Sequence, residues 1–256
     1  MNSILEEDIK NIADSKLVNW EEFNNKSILI TGATGLICSI MIKAFCKKKL
    51  NLKMYLLVRN KENAKQMYGE NENIEYIESS IENFNVEDIK VDYIIHAASP
   101  TKSKFFVEKP VETLNTAVLG TKNILEFAKN IGIKSMVYLS SMEMYGTMND
   151  ENVTEEKLGY INTLNVRSSY SEGKRVCELY CYSYQKYGVP VKIARIAQTF
   201  GAGISKNENR VYKIFADAVI NKENIVLKSK GTTIINYSYT TDTVIALLVL
   251  LLKGKN

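Results

Sequence analysis

The chain has 256 residues, 45% of them hydrophobic, and a net charge of +4. That is apolar material for one sizeable core, or for one large domain with a small appendage, and a charge without long basic blocks argues against a nucleic-acid partner. The longest apolar run, "VIALLVLLL" at 244–252, falls well short of the ~20 residues a bilayer span needs, so it reads as a buried helix and no membrane partner is expected.

In chain order, residues 3–23 carry apolar positions at rough helical spacing, and a leading helix packed on the main body is expected, with 1–25 as an N-terminal extension. A regular alternation follows: strand 27–31, helix 36–48 closed by the cations of "KKK" at 47–49, strands 53–58, 74–79 and 92–98, helix 111–130, strand 135–141, helix 168–187 and strand 191–197. Strands alternating with helices of this length give βαβ units and a parallel sheet, doubly wound because the crossovers are right-handed. The expected class is therefore α/β, a Rossmann-type doubly wound sheet over 26–198. After 198 the pattern loosens: a loop, a short helix at 211–222, a strand at 224–229 and a helix at 241–253, a partial substrate-binding region over 199–256.

The four cysteines, at 38, 46, 177 and 181, form no metal-type CxxC, and His96 is the only histidine. No metal site is expected, and the thiols read as free in a reducing, cytoplasmic setting. Cys177 and Cys181 read as core-facing helix residues and His96 as a packed strand-end residue. The acidic start "MNSILEEDIK" has no apolar signal core.

"ITGATGLIC" (30–38) follows the first strand and opens the first long helix. Gly32 permits the tight turn, and Gly35 lets the backbone approach a pyrophosphate whose charge the helix N-terminus favours. Cys38 stands where the fingerprint wants a small residue, so its side chain must be absorbed by the packing. A turn that merely needs glycine is the plain alternative. Dinucleotide sites usually place an acid at the end of the second strand for the ribose; here that position is Arg59, followed by Asn60 and Lys61. A 2′-phosphate suits these residues, so NADP is favoured over NAD, unless Arg59 is simply solvated.

"SSYSEGKR" (168–175) puts Tyr170 and Lys174 four apart, on one face of a helix. An ammonium beside a phenol favours the phenolate and makes it usable as a base. The strand "YLSS" (138–141) runs out into hydroxyls and then Glu143, and strand ends of this kind are where doubly wound folds bind ligands. Ser141 is expected beside Tyr170.

With "IIHAASP", "LNTAVLGTKNILEFA", "YLSSMEMYG", "YSEGKRVCE" and "ARIAQTFGAG" in this order after the glycine turn, the chain resembles the extended short-chain dehydrogenase/reductase group, also called the NAD-dependent epimerase/dehydratase family. The likeness covers about residues 26–253. "YSEGKRVCE", "NRVYKIF" and "NYSYTTD" look most like UDP-glucuronate decarboxylases, then nucleotide-sugar 4,6-dehydratases.

The resemblance implies Tyr170 as general base, Lys174 as its activator and a ribose contact, Ser141 as the hydroxyl that assists at the sugar, and Glu143 as a second acid. It implies cofactor contacts from Gly32, Thr34, Gly35, Leu36 and Ile37, from Arg59, Ser80 and Ile81, from Ala97, Ala98 and Ser99, and from Asn115, Tyr170 and Lys174. Thr101, Arg195, Gln198 and Arg210 are expected on the substrate side. Ile235 stands where the family usually has an arginine for the nucleotide diphosphate.

The implied chemistry is an internal redox cycle on a nucleotide sugar. The C4 alcohol is oxidised, carbon dioxide or water is lost next to the new ketone, and the hydride returns. Family members continue past the last helix, so the resemblance implies an incomplete C-terminal substrate region. It also implies a homodimer built on helices 111–130 and 168–187. Two other functions fit the same residues: an NADPH-dependent carbonyl reductase, which leaves Glu143 without a role, and a non-catalytic dinucleotide-binding protein.

Overall fold

A computed structural model describes residues 3–86, 88–148, 152–205, 208–227, 230–231 and 234–255. Its centre is a six-stranded parallel sheet of β1 (Lys26–Thr31), β2 (Leu52–Val58), β3 (Ile74–Glu78), β4 (Tyr93–His96), β5 (Ser135–Ser141) and β6 (Val191–Ile196), in the order β3-β2-β1-β4-β5-β6. The order reverses at β1/β4, the crevice where open α/β sheets bind ligands. Registers such as Ile30↔Leu56 and Ile30↔Ile95 align the strand ends that form this crest.

Because side chains alternate across a strand, each strand serves two cores. Ile28 and Ile30 of β1, Ile95 of β4 and Val137 and Leu139 of β5 pack on one face. They meet α1 (Ser3–Ala13), α2 (Leu36–Lys48) and α8 (Thr240–Lys253) through Ile9, Ile40, Phe45, Val244 and Leu248. Leu29, Ile94, Met136 and Tyr138 pack on the other, against α5 (Pro110–Ile131) and α6 (Ser168–Gln185) through Ala117, Ile124, Leu125, Cys177 and Cys181. Each buried Leu or Ile contributes about 1.5–3 kcal/mol.

The helix ends follow the sequence. Lys47 and Lys48 lie in the last turn of α2, and Lys49 closes it in the left-handed region at φ 53°; cations suit that end of the dipole. Pro110 opens α5 and Gly132, at φ 68°, ends it. The apolar run at 244–252 is the buried α8, and no helix among the described residues is long and apolar enough to cross a membrane.

Four expectations shift. The leading helix stops at Ala13, and the rest of its stretch is a loop and a 3₁₀ turn, Trp20–Phe23. Ser15 explains the break: its Oγ accepts from the Leu17 N–H and its carbonyl from Trp20 Nε1, local bonds that compete with the helix. The expected strand 92–98 ends at His96 because the next two N–H groups turn to a side chain on β1. The expected strand 224–229 is irregular over 224–227; residues 228 and 229 lie outside the described residues. Two short helices were not anticipated, α3 (Lys61–Tyr68) and α4 (Ser103–Glu108), and α3 carries a legible signal in Asn60, whose Oδ1 caps the Asn63 N–H at 2.7 Å.

Beyond the main sheet, β7 (Gln198–Phe200) and β8 (Tyr237–Tyr239) form a separate parallel pair, and α7 (Val211–Asn221) lies between them in sequence.

Candidate active site

The crest of β1 and β4 is tied by one hydroxyl. Thr31 Oγ1 accepts from the N–H groups of Ala97 (3.1 Å) and Ala98 (3.0 Å), so its proton points to His96 Nδ1 at 2.7 Å. Nδ1 therefore accepts, and the protonated Nε2 donates to Thr121 Oγ1 at 3.1 Å. Burial, with the charge of Lys174 adding to it, pushes His96 down to about 3, so the ring is a neutral strut.

This tie draws the 97–98 backbone against the glycine turn. A Cβ on Gly32, whose φ is 67°, would lie 2.8 Å from the Ala97 carbonyl carbon; one on Gly35 would lie 3.1 Å from the Gly32 oxygen. Gly35 caps α2 with no side-chain bond, which leaves the first-turn N–H groups of Leu36 and Ile37 uncapped. Such an end favours an anion, and the cradle fits a pyrophosphate.

Cys38 is absorbed as required: it is buried, its Sγ lies 3.8 Å from the Thr31 oxygen, and burial raises the thiol to about 12. Tyr68 of α3, which sequence reasoning missed, braces the turn from outside by donating to the Ala33 oxygen at 2.5 Å.

At the far side of the turn, Thr34, Arg59, Asn60 and Asn63 line a cleft of about 350 Å³. Arg59 is exposed there. Glu78, at the end of β3 and paired in register with Val58, has its Oε1 taken by the Lys61 N–H at the start of α3. Ser80 is half-buried after β3, whereas the Ile81 side chain is spent in the core, where it fills the space left by Gly120 on α5.

The end of β5 and the first turn of α6 meet at Ser141 and Tyr170. Burial raises the Tyr170 phenol and the Glu143 carboxylate adds to it, while the Ser141 hydroxyl and the charges of Arg210 and Arg167 oppose it. Ser141 Oγ also accepts from the Glu143 N–H at 3.2 Å. Lys174 is buried and donates to the Leu139 carbonyl at 2.7 Å, with its ammonium 5.8 Å from the centre of the Tyr170 ring; burial lowers it to about 8. The lysine thus sits under the ring rather than at the oxygen, and the phenol is raised, not lowered. The simple picture of an amine pulling the phenol down is corrected to this extent.

Two neighbours were missed from sequence. Phe106 of α4 stacks on Tyr170, with ring centres 4.3 Å apart and planes 6° apart. Arg167 grips Glu143 with both amino groups, at 2.9 and 3.3 Å, and lies 5.8 Å over the Phe106 ring. The aromatic pair "FF" at 105–106 was the available signal for the first. Nothing in the spacing announced the second, because the contact spans the irregular segment between β5 and α6.

Some expected residues are not brought to this centre. Arg195 donates from Nε and Nη2 to the buried Glu178 (2.8–3.1 Å) and from Nη1 to the Glu155 carbonyl (2.7 Å), so it clamps β6 to α6 instead of reaching outward. Asn115 lies on the exposed side of α5. The residues that face inward are Thr113, Ala117, Gly120 and Thr121, at helical spacing from which 115 is out of phase. Gln198 is half-buried on β7, where it pairs with Tyr237. Thr101 is exposed, and its carbonyl accepts from Arg210 Nη2 at 3.4 Å, which places Arg210 between the 97–101 loop and Tyr170. Ser99 keeps a buried hydroxyl without a partner beside the same loop.

A glycine cradle on a parallel sheet, with a serine, tyrosine and lysine two strands away, is the arrangement of the short-chain dehydrogenase/reductase type. The model of the NAD dependent epimerase/dehydratase family matches residues 28–256, and the chain belongs to that family. UDP-glucuronic acid decarboxylase 1 of Xenopus tropicalis is 33% identical over 235 residues, 90% of this chain and 54% of that protein. UDP-glucuronic acid decarboxylase 6 of Arabidopsis thaliana is 32% identical, over 89% of this chain and 66% of that protein. The chain thus spans roughly half to two thirds of the length of these relatives.

Among solved structures, the UDP-N-acetylglucosamine 4-epimerase of Methanobrevibacter ruminantium M1, in complex with UDP-N-acetylmuramic acid, superposes with a TM-score of 0.76 at 23% identity. It covers 87% of this chain and 72% of the other. The dTDP-glucose 4,6-dehydratase DesIV of Streptomyces venezuelae, with NAD and TYD bound, also scores 0.76, at 19% identity, over 90% and 73%. At these identities the structures speak for the fold alone.

Proposed function

We propose that this chain is an NAD(P)-dependent nucleotide-sugar enzyme of the decarboxylase, dehydratase or epimerase kind, which oxidises its substrate at C4 and returns the hydride within the same turnover. The observation that carries the reading is the Tyr170 phenol, buried, stacked on Phe106 and facing Ser141 at the end of β5, two strands from the glycine cradle. The curated relatives are UDP-glucuronic acid decarboxylases, so a UDP-linked uronate is the first substrate to try.

Tyr170 takes the proton of the C4 hydroxyl, and Ser141 bridges phenol and hydroxyl. Arg210 and Arg167 supply the positive field that eases ionisation of the buried phenol, and Lys174, whose ammonium lies under the ring, works with Tyr170 from below as a contact for the ribose. Phe106 fixes the tyrosine ring by stacking. A bound nicotinamide dinucleotide supplies the acceptor and later donor of the C4 hydride. Glu143, oriented by Arg167 and by Ser171 Oγ at 3.5 Å, serves the proton movement next to the C4 ketone. The uncapped start of α2 receives the pyrophosphate, and Arg59 with Thr34 and Asn63 receives a 2′-phosphate, so NADP is preferred over NAD.

The test is incubation with UDP-glucuronate, then with dTDP-, UDP- and GDP-hexoses, following product by mass spectrometry and nicotinamide by absorbance. Product without net loss of cofactor supports the proposal. A steady loss of NADPH with a simple ketone supports the second reading, a carbonyl reductase, which Arg59 at the ribose end favours. For the cofactor itself, Arg59→Ala is expected to weaken NADP about tenfold or more and to leave NAD unchanged, since a charge-assisted bond is lost only for the phosphate; equal affinities before and after the substitution would exclude the preference.

A further inference from the structure

Lys174 carries its charge into a place where no carboxylate among the described residues meets it. Its one hydrogen bond goes to the Leu139 carbonyl. The nearest acid on its own helix, Glu178, is spent on Arg195 and on Ser140 Oγ at 2.5 Å. Cys177 and Cys181, also on α6, are thiols raised by burial, and His96 on β4 is neutral. What remains is two aromatic faces: Tyr170 at 5.8 Å and, closer, Tyr138 of β5, whose ring centre lies 4.8 Å from Nζ. Tyr138 is 2% exposed, and its hydroxyl has no nitrogen or oxygen partner and faces only the Cys177 thiol, a weak hydrogen-bonding group. An apolar side chain would fill the same part of the core without burying a hydroxyl against so weak a partner, so the phenol oxygen does not account for the residue; the ring does.

We infer that Tyr138 is a positioning residue: the negative face of its ring holds the Lys174 ammonium in its charged form beneath Tyr170. A cation over an aromatic face gains most where water is excluded, as here. The inference rests on Tyr170 and Lys174 being the working pair proposed above.

The experiment reads the lysine directly. NMR titration of the Lys174 side-chain amine, assigned by its loss in Lys174→Arg, is compared in the full chain, in Tyr138→Leu and in Tyr138→Phe. Tyr138→Leu is expected to lower the Lys174 pKa by roughly half to one unit, whereas Tyr138→Phe, which keeps the face and removes only the hydroxyl, leaves it in place. The alkaline fall of turnover should move to lower pH by the same amount in the leucine variant alone. Where Tyr138→Leu does not fold, Tyr138→Met replaces it. An unmoved Lys174 titration in the aliphatic variant, or the same shift in Tyr138→Phe, overturns the inference. An NMR shift as expected in a chain that turns over no nucleotide sugar upholds the aromatic hold and instead refutes the proposed function.

Discussion

Lys174 shows how a single residue divides between stability and use. Its ordinary value of 10.5 is lowered to about 8 in the fold, by burial. Between those values the unfolded chain holds more protons than the folded one, so this group makes stability rise as the pH climbs from about 8 to 10.5. Below 8 the cost of the buried charge is constant, at roughly 3 kcal/mol for a shift of this size. Turnover that needs the ammonium falls over the same window in which stability rises. Lys174→Met is therefore expected to raise the melting temperature at pH 7, less the loss from an unpaired Leu139 carbonyl, and to flatten the pH dependence of stability above 8. Thermal unfolding across pH measures both, and a variant that melts lower than the parent would show that the carbonyl and the rings outweigh burial. The pairing of 170 with 174 was legible from spacing, but the direction of the phenol's shift was not, because it depends on burial under Phe106, which outweighs the opposing charges of Arg167 and the sequence-distant Arg210.

Elements were most legible where hydrophobic period and end signals agree. Strands β1 to β6 and helices α2, α5, α6 and α8 fall within a residue or two of where alternation, helical period and the lysines at 47–49 put them, β4 stopping two residues early. The exceptions have side-chain causes that a periodic pattern does not carry. Thr31 captures the two N–H groups that would have continued β4, and Ser15 ends α1. The same capture makes Gly32 irreplaceable, since the 97–98 backbone occupies the volume of a Cβ and φ is positive. Gly32→Ala is expected to cost on the order of 2–4 kcal/mol and to abolish dinucleotide binding; denaturant unfolding and cofactor titration would show it, and a variant with unchanged midpoint and affinity would mean that the crest is far softer than its contacts indicate.

At the scale of the whole molecule, two cores on opposite faces of one sheet leave an outer surface on α5 and α6 that is apolar where it need not be. Val111 and Leu114 of α5 and Val176 and Leu179 of α6 are exposed there, Leu179 to 65%. The resemblance pointed to these two helices as a dimer interface, and this stripe supports that proposal. Leu179→Asp is expected to convert the dimer to monomer in light scattering at micromolar concentration; a parent chain that is already monomeric there would remove the proposal. The substrate side was the least legible region. Arg195 points into an ion pair with Glu178 that no spacing rule foretold, and the 224–227 stretch, rich in β-branched residues, finds no partner strand in the described residues. Local propensity needs a neighbour to become a sheet.

The most direct measurement follows a nucleotide sugar, UDP-glucuronate first, deuterated at C4, through the parent chain and through Tyr170→Phe. The account predicts product that retains the label, without net cofactor turnover, and a loss of about 10²–10⁴-fold in rate when the phenol oxygen is removed from a chain that still folds and binds dinucleotide. Undiminished turnover in Tyr170→Phe, or label appearing in free reduced cofactor, would contradict it.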